Sequence, residues 1–512
     1  MTQGEIEKLT VKTENIFSEL EIRIMSDIVR RIKENGVSTA SADWQLTRLQ
    51  QLGMSQEQIR KWIQEALKAS DAEMDKIFSD KAYEEYYGHE RFYKFADMQQ
   101  IPFEQNVVLQ RLIEATKEQL AGEYRNLTGS MGFAIRDPAT GKVKSVPLME
   151  YYRSTMDNAV LDIKSGAFDY NTVLKRTISR MTASGIRYID YDSGRRDRVN
   201  VAARRAVLTG FRQVQGKINE RVATDLGTDM YEVSYHVGAR PSHQPWQGRV
   251  YSMTQLHSVC GLGEVTGLKG ANCYHDYKPF PPGSVRTYTD EQLKQMIDAE
   301  NTPRTYNGKQ YTTYEALQEQ RKMERGMRAQ RQQIKLLQAG EADEKDIILA
   351  KARYQGQMQS YKDFSGKMKL PEQKARITQD GLRGSFMPTK KEQKNLEESV
   401  INDKIKADMK AAGLRGEINL KPQIPDVSKL SFDDHHVNQE RQHDVIEAEA
   451  KNYIQNAVFS TTKWKGKFTN YYSDEGAAFV DNETQHIRTA FRKEQYDKAA
   501  MAAMEVLKHG RS

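Results

Sequence analysis

Residues 231–283, YEVSYHVGARPSHQPWQGRVYSMTQLHSVCGLGEVTGLKGANCYHDYKPFPPG, constrain the fold more than any other part of the chain. Seven glycines and five prolines fall within them. Proline removes a backbone donor and glycine weakens helix and strand alike, so no long regular element can run through this stretch. It also holds both cysteines of the chain, Cys260 and Cys273, four histidines (His236, His243, His257 and His275) and Trp246. Tight turns, a metal site or an active site would each use such residues.

On either side the sequence reads mostly as charged helix. A chain of 512 residues is too long for one core, and about two to four domains are expected. Hydrophobic residues make up 38% and the mean hydropathy is -0.77, values that suit long helices with thin apolar stripes. The net charge of +7, from 77 basic and 70 acidic residues, permits contact with DNA or an acidic surface without demanding it. No apolar run approaches the roughly 18 residues that span a bilayer. The opening MTQGEIEKLTVKTENIF lacks the apolar core of a targeting segment, so none is expected. Two cysteines exclude a disulfide scaffold and suit synthesis in a reducing compartment.

In chain order, Ile16, Leu20, Ile24, Ile28 and Ile32 lie four apart and predict a helix that stops at Asn35-Gly36. The Ser38-Thr39-Ala40-Ser41 run opens a second, with Trp44, Leu46, Leu49 and Leu52 apolar, ending at Gly53. Ser55 with Glu57 and Gln58 opens a third, with Ile59, Trp62, Ile63 and Leu67 inward. Helices are also expected over 72–98 and 106–125, and turn signals at 128–130 and 137–141 frame a small hairpin. Helices resume over 147–165 and 170–185, and Asp192-Ser193-Gly194 forms a turn. A helix over 196–225 turns Val199, Ala203, Ala206, Val207, Phe211, Val214 and Ile218 inward. Its exposed side carries Arg195, Arg196, Arg198, Arg204, Arg205 and Arg212, a solvated or acid-paired face in preference to a DNA site. Residues 228–237 alternate like a strand, and Tyr288-Thr289-Asp290 starts another helix.

Residues 316–361 predict two long, mostly exposed helices in a hairpin that packs on a partner. Residues 365–430 read as a tether. The last segment predicts a helix over 438–457, strands over 468–472, 476–480 and 486–491, and a terminal helix. The expected division is therefore a helical region (1–127), a core with the Gly/His/Cys motif (128–312), a charged hairpin (313–364), a linker (365–429) and a C-terminal domain (430–512). The fold class is mainly α with a small α+β core and a separate small α+β C-terminal domain.

Three constellations bear on chemistry. His236, His243, Cys273 and His275 are a zinc-type ligand set, although their spacing is not that of a standard finger. The other reading is a hydrogen-bonded knot in which His236 and His243 bond backbone carbonyls around a buried Trp246. Cys273 beside His275 has no partner acid for thiol catalysis, and Gly261–Gly270 lacks the Lys-Ser or Lys-Thr ending of a phosphate loop. Near the C-terminus, His436, Arg441, His443, Tyr472, Arg488 and Thr489, with His435 and Tyr471 beside them, supply a proton carrier and a phosphate-stabilising cation. Metal-free RNA cleavage through the 2′-hydroxyl needs no more than that. The same residues also suit the surface of a folded tail domain.

The segments GARPSHQPWQGRVYS and GLKGANCYHDYKPFPPG, with SGRRDRVNVAARRAVLTG upstream and YEALQEQRKMERGMRAQRQQ downstream, resemble the phage minor capsid protein 2 family, a branch of the MuF-type head morphogenesis proteins. The resemblance covers residues 1–385, and Arg240, His243, Trp246, Gly248, Asn272, Cys273 and His275 carry over as motif positions without a catalytic role. His257 and Cys260 fall in an insert outside the match. The resemblance implies a virion protein made in the host cytoplasm and located in the capsid interior or at the portal vertex. Its implied partners are the portal, other capsid and scaffold proteins, and packaged DNA, with no cofactor and no membrane anchor. MuF-type proteins often carry a variable C-terminal effector, and the segment from His435 resembles phage versions of the barnase–colicin–RelE nuclease fold, whose substrate would be RNA. Three functions therefore stand open: a structural head protein, a virion-delivered metal-independent ribonuclease, and a zinc-stabilised nucleic-acid-binding module.

Overall fold

The computed structural model describes residues 3–37, 41–137, 140–190 and 196–510, without the side chains of residues 3, 6–7, 35–37, 41–51, 160 and 164. Two compact units emerge, Met1–Pro388 and Thr389–Ser512. Both contain helices and small sheets, and the chain is mainly α.

The first unit is built round one helix. After a short α1 (Gln3–Leu9), α2 (Val11–Val37) buries Phe17, Leu20, Ile24, Met25, Ile28, Val29 and Ile32. The expected stripe is present, with Ile16 only partly buried, but the apolar face is wider than one row and reaches most of the way round. Such a helix needs neighbours on several sides. They are α3 (Ser41–Lys76), α7 (Leu148–Lys164), α8 (Tyr170–Ser184), α9 (Val199–Asp225) and α12 (Thr313–Ala339). Between α3 and α7 in the chain come α4 (Ala82–Tyr87), α5 (Glu90–Phe95) and α6 (Val107–Gly129), the last capped by the Asn106 side chain.

α3 runs through Gly53 and Ser55, where a break was expected. Ser55 is fully buried, and its hydroxyl is used by Tyr152 and Arg31 instead of capping a helix. Tyr152 also donates to Asp27 of α2 at 2.7 Å, so the polar groups inside this core are tied together. The expected roles of Trp44, Leu46 and Leu49, the Ser38–Ala40 run, the Asp192–Gly194 turn, Arg195, and Pro138 and Ala139 of the turn signal all lie outside the described residues or side chains.

Antiparallel β1 (Met131–Arg136) and β2 (Val143–Pro147) form the expected hairpin. It joins β3 (Ile186–Ile189) and β4 (Arg196–Arg198) in a sheet of order β2-β1-β3-β4. The next sheet, β6-β5-β7, combines β5 (Met230–Val233), β6 (Val250–Ser252) and β7 (Tyr277–Pro279), with α10 (Met253–Ser258) after β6. Capping boxes open α11 (Asp290–Asn301) at Thr289 and α12 at Thr312, with the hairpin β8 (Arg304–Tyr306) and β9 (Lys309–Tyr311) between them.

α12 and α13 (Glu344–Met368) form the expected hairpin, yet α12 is not an exposed arm. It buries Gln320, Glu324, Met327, Gln330, Arg331, Gln332, Ile334, Leu336 and Leu337 against the rest of the unit. Its charges are answered from within: Gln332 donates to Glu21 of α2, and Arg331 makes a buried two-pronged pair with Asp380, beyond the short α14 (Lys374–Ile377).

Buried histidines make the first unit acid-sensitive, and His89 is one that lies outside the Gly/His/Cys stretch. His89 is 2% exposed, and burial lowers it from near 6.5 to about 4, with Lys278 reinforcing the shift and Glu85 and Asp276 opposing it. The unfolded chain binds a proton that the fold refuses. The stabilisation is therefore intact above the ordinary histidine value and is lost as pH falls from 6.5 towards 4, on the order of 3 kcal/mol in total. Urea titrations at stepped pH should show that slope, and His89→Phe should reduce it, leaving the part that His236, His243 and His275 contribute. An unchanged slope in the variant would show that another group is responsible.

The second unit holds a six-stranded sheet of order β10-β12-β13-β14-β15-β11. The strands are β10 (Glu417–Asn419), β11 (Ser431–Phe432), β12 (Phe459–Lys463), β13 (Phe468–Tyr472), β14 (Gly476–Asp481) and β15 (His486–Arg492). Only the β11–β15 pair is parallel. Alternation sends Tyr472 and Ala477 to one face, against α15 (Lys390–Ala411) and α17 (Lys498–Gly510). Tyr471 and Ala478 go to the other, against α16 (Glu447–Gln455). Residues 390–419, inside the expected linker, are thus helix and edge strand, because Ile405, Met409 and Ile418 reach this core. The expected helix over 438–457 shortens to α16. The Asn438 side chain bonds both the N–H and the C=O of Val445, closing a loop in which Gln442 and Asp444 take positive φ.

Candidate functional site

The Gly/His/Cys stretch packs on β5, whose Tyr231 and Val233 join Trp246, Leu256, Cys260, Leu268 and Tyr277 in a small core. β5 is shorter than the 228–237 strand expected, because beyond Val233 the chain turns away at Gly238. Residues 261–273 form a coil of successive turns, and Gly267 sits so close to the Gly261 carbonyl that a Cβ would lie 1.9 Å from its oxygen. Two arginines pin the end of this coil. Arg240 donates to the carbonyls of Ala271 (2.6 Å) and Thr266 (3.3 Å), and Arg212 to those of Gly270 (3.1 Å) and Cys273. Arg212, expected on the exposed side of its helix, is 7% exposed for this reason. Asn272 takes φ 57°, a left-handed conformation that asparagine tolerates better than most residues. Gly248, at φ 72°, lies where a Cβ would meet Leu293 at 2.5 Å.

The pinned coil brings Cys273 and His275 against His243. The three buried residues place one ligand-type atom each within 4.8 Å of one another. His275 Nδ1 lies 3.4 Å from His243 Nδ1 and 3.4 Å from Cys273 Sγ. On the far side of each ring, His243 Nε2 meets the Thr266 carbonyl at 2.8 Å and His275 Nε2 meets Gln247 Oε1 at 2.9 Å. Trp246 walls the cluster, its ring 4.5 Å from that of His243 and 4.8 Å from that of His275. Burial holds His275 down at about 2, with His236 and His243 adding to the effect, and lowers His236 and His243 as well, so all three imidazoles are neutral. Burial also raises the Cys273 thiol, while Arg212 and Arg240 pull it the other way. His236, the fourth residue of the expected set, packs edge-on against the His275 ring at 5.0 Å but is not one of the three, its Nε2 lying 3.0 Å from Ser234 Oγ. Cys260 is buried away from the cluster in the small core, its thiol pushed up to about 12.

The cluster borders a cavity of ≈350 Å³. Seven arginines line it (Arg204, Arg205, Arg240, Arg321, Arg325, Arg328 and Arg376) against two glutamates, Glu14 and Glu324. Some are answered locally: Arg204 by Glu14, Arg205 by Asp197, Arg376 weakly by Glu324 at 3.9 Å. Arg204 and Arg205 thus show the acid pairing expected of that helix. Among the described residues, Arg321 and Arg325 make no ion pair; Arg321 lies over the Tyr274 ring. Arg321, Arg325 and Arg328 fall in the hairpin that the sequence predicts to be mostly exposed. Their spacing of four and then three places them on one helical face, and that was the available signal.

The C-terminal candidates are dispersed. His436, half-buried in the π-helical segment His435–Glu440, is bound to Glu440 at 2.5 Å, and Arg441 follows that segment, exposed. Tyr472 is 6% exposed and packs between Phe459 and Tyr496. His443 lies against Phe491 of β15. On the same strand, Arg488 is exposed over the Phe468 ring and Thr489 is buried. His435 is exposed, 3.8 Å from Glu440.

The sequence model of the phage minor capsid protein 2 family matches residues 1–365, and those residues include the whole of the cluster and the motif positions around it. The chain belongs to the phage minor capsid protein 2 family. A minor capsid protein is a virion component and acts beside other capsid components. No curated protein and no solved structure matches the chain. Among the described residues no helix is long and apolar enough to cross a membrane. The family match ends within α13 and leaves the second unit outside it.

Proposed function

We propose that this minor capsid protein works on the inner side of the head, at or beside the portal, during assembly. In this reading the first unit contacts packaged DNA through its arginine-lined cavity. The observation that carries the proposal is the concentration of charge. A chain with a net charge of only +7 gathers seven arginines against two glutamates round one cavity, and among the described residues Arg321 and Arg325 make no ion pair. DNA phosphates are the polyanion that such a surface meets inside a filled head, and binding through phosphates is sequence-independent and steeply salt-dependent.

The test is a titration of the full chain with duplex DNA over a range of salt. Arg321→Glu with Arg325→Glu should weaken binding at least about tenfold at low salt and flatten the dependence of log K on log salt by roughly one to two units. Unchanged affinity and slope in the double variant would remove DNA contact from the cavity.

A second reading concerns the second unit, which has its own core and lies outside the family match. His443 beside Phe491 and Arg488 on the same strand offer a proton carrier and a cation at one edge region of the sheet. On this reading the unit is a metal-independent ribonuclease carried by the capsid module. Incubating the full chain with RNA in the presence of a chelator should give cleavage that His443→Ala and Arg488→Ala abolish. Intact RNA would end this reading and leave the first untouched.

A further inference from the structure

We propose that His243, Cys273 and His275 hold a zinc ion through His243 Nδ1, His275 Nδ1 and Cys273 Sγ, with the fourth position turned to the arginine-lined cavity and filled by water. The proposal is independent of the DNA reading and rests on how the hydrogen bonds fix the two imidazoles. His243 Nε2 faces a backbone carbonyl, which only accepts, so that nitrogen carries the proton. His275 Nε2 faces Gln247 Oε1, and the amide cannot be turned round because the same oxygen accepts the His236 backbone N–H at 3.1 Å. Both Nδ1 atoms therefore present lone pairs, and they present them to each other and to a sulfur. Two acceptors and a thiol share one proton among them. In a buried site, that leaves at least one lone pair aimed at another without a donor, an arrangement that costs free energy unless a cation joins them.

Two of the three ligand-to-ligand distances suit zinc directly, and the third, between His243 and Cys273, is within 4.8 Å. Ligands at about 2.05 Å (nitrogen) and 2.3 Å (sulfur) from a tetrahedral zinc lie about 3.3 Å apart for two nitrogens and about 3.6 Å for nitrogen and sulfur. The contacts of His275 Nδ1 with His243 Nδ1 and Cys273 Sγ are both 3.4 Å. The outer hydrogen bonds are those that orient metal-bound histidines, one to a backbone carbonyl and one to a side-chain amide. Zinc also resolves the position of Cys273. The thiol gives up its proton to solvent as the metal binds, and the thiolate offsets part of the ion's charge among the surrounding guanidiniums. His236 takes no part, because Ser234 holds its Nε2.

Metal analysis of the purified full chain, dialysed against zinc and then against buffer, should find about one zinc per chain. Cys273→Ser should lose it and Cys260→Ser should keep it, so a general effect of removing a thiol is separated from loss of a ligand. Cobalt in place of zinc should give the near-ultraviolet thiolate charge-transfer band in the wild type and in Cys260→Ser, and none in Cys273→Ser. If Cys273→Ser fails to fold, His243→Gln, which leaves the thiol in place, should still lose the metal. A folded wild-type chain without zinc after dialysis, or a Cys273→Ser protein that keeps full zinc, overturns the proposal.

Discussion

A Gly267→Ala substitution is expected to destabilise the first unit by on the order of 3–5 kcal/mol, among the larger effects a single methyl can have. The added Cβ would stand 1.9 Å from the Gly261 carbonyl oxygen and 2.5 Å from its carbon. Both atoms are backbone, so no side chain can swing away. Nor can the coil open locally. Leu268 N–H is bonded to Cys260 and Gly270 N–H to Gly267, and the carbonyls of Gly270, Ala271 and Cys273 are held by Arg212 and Arg240. The clash is therefore passed to Cys273 and to its contact with His275. Gly326→Ala is the contrasting case: it sits inside α12 with nothing within 4 Å, and should stabilise by about 0.5–1 kcal/mol. Urea unfolding followed by tryptophan fluorescence, to which Trp62 and Trp246 of the first unit contribute, reports on both. Equal midpoints for Gly267→Ala and wild type would show that the coil is not held as described.

Arg331→Met should cost about 3–5 kcal/mol, because it leaves the Asp380 carboxylate buried without its charge partner. The pair is nearly sealed, with side-chain exposures of 8% and 2%. Arg331 Nε and Nη2 reach the two carboxylate oxygens at 2.6 and 3.1 Å, and Nη2 also donates to the Leu382 carbonyl at 2.9 Å. The guanidinium stacks 4.0 Å from the Phe386 ring. These contacts fasten residues 380–386 to α12, and this is why the first unit extends past the end of the family match. Adding Asp380→Leu to Arg331→Met should recover most of the loss, since an apolar pair replaces an orphaned charge. If the double variant is as unstable as the sum of the two single ones, the pair is not acting as a unit.

Much of this architecture was legible from periodicity. The helices over 106–125, 147–165 and 170–185, the 196–225 helix except its first three residues (which are β4), and the 131–147 hairpin follow their apolar spacing, caps and turn residues, which are local signals. What was not legible depends on partners distant in the chain. Ser55 reads as a helix start, yet Tyr152, 97 positions away, uses its hydroxyl inside a continuous helix. The α12 arginines read as a solvated stripe, because nothing local tells that they face a cavity shared with residues 204–275. The expected linker hides Ile405, Met409 and Ile418 among charged neighbours, and only the sheet they cover makes them a core. At the site, three of the four proposed metal-type ligands do come together, and the fourth, His236, is taken by Ser234 two residues away. Residue type gave the ligand set; loop geometry decided its membership.

The claim that this family member acts inside the head is tested most directly by protease treatment of intact, DNA-filled virions. The protein should stay uncut in intact particles and be cleaved once the heads are opened, with cross-links to the portal and to DNA from residues 313–388. Cleavage in intact particles at the rate of the free protein, with no portal or DNA cross-links, would contradict it.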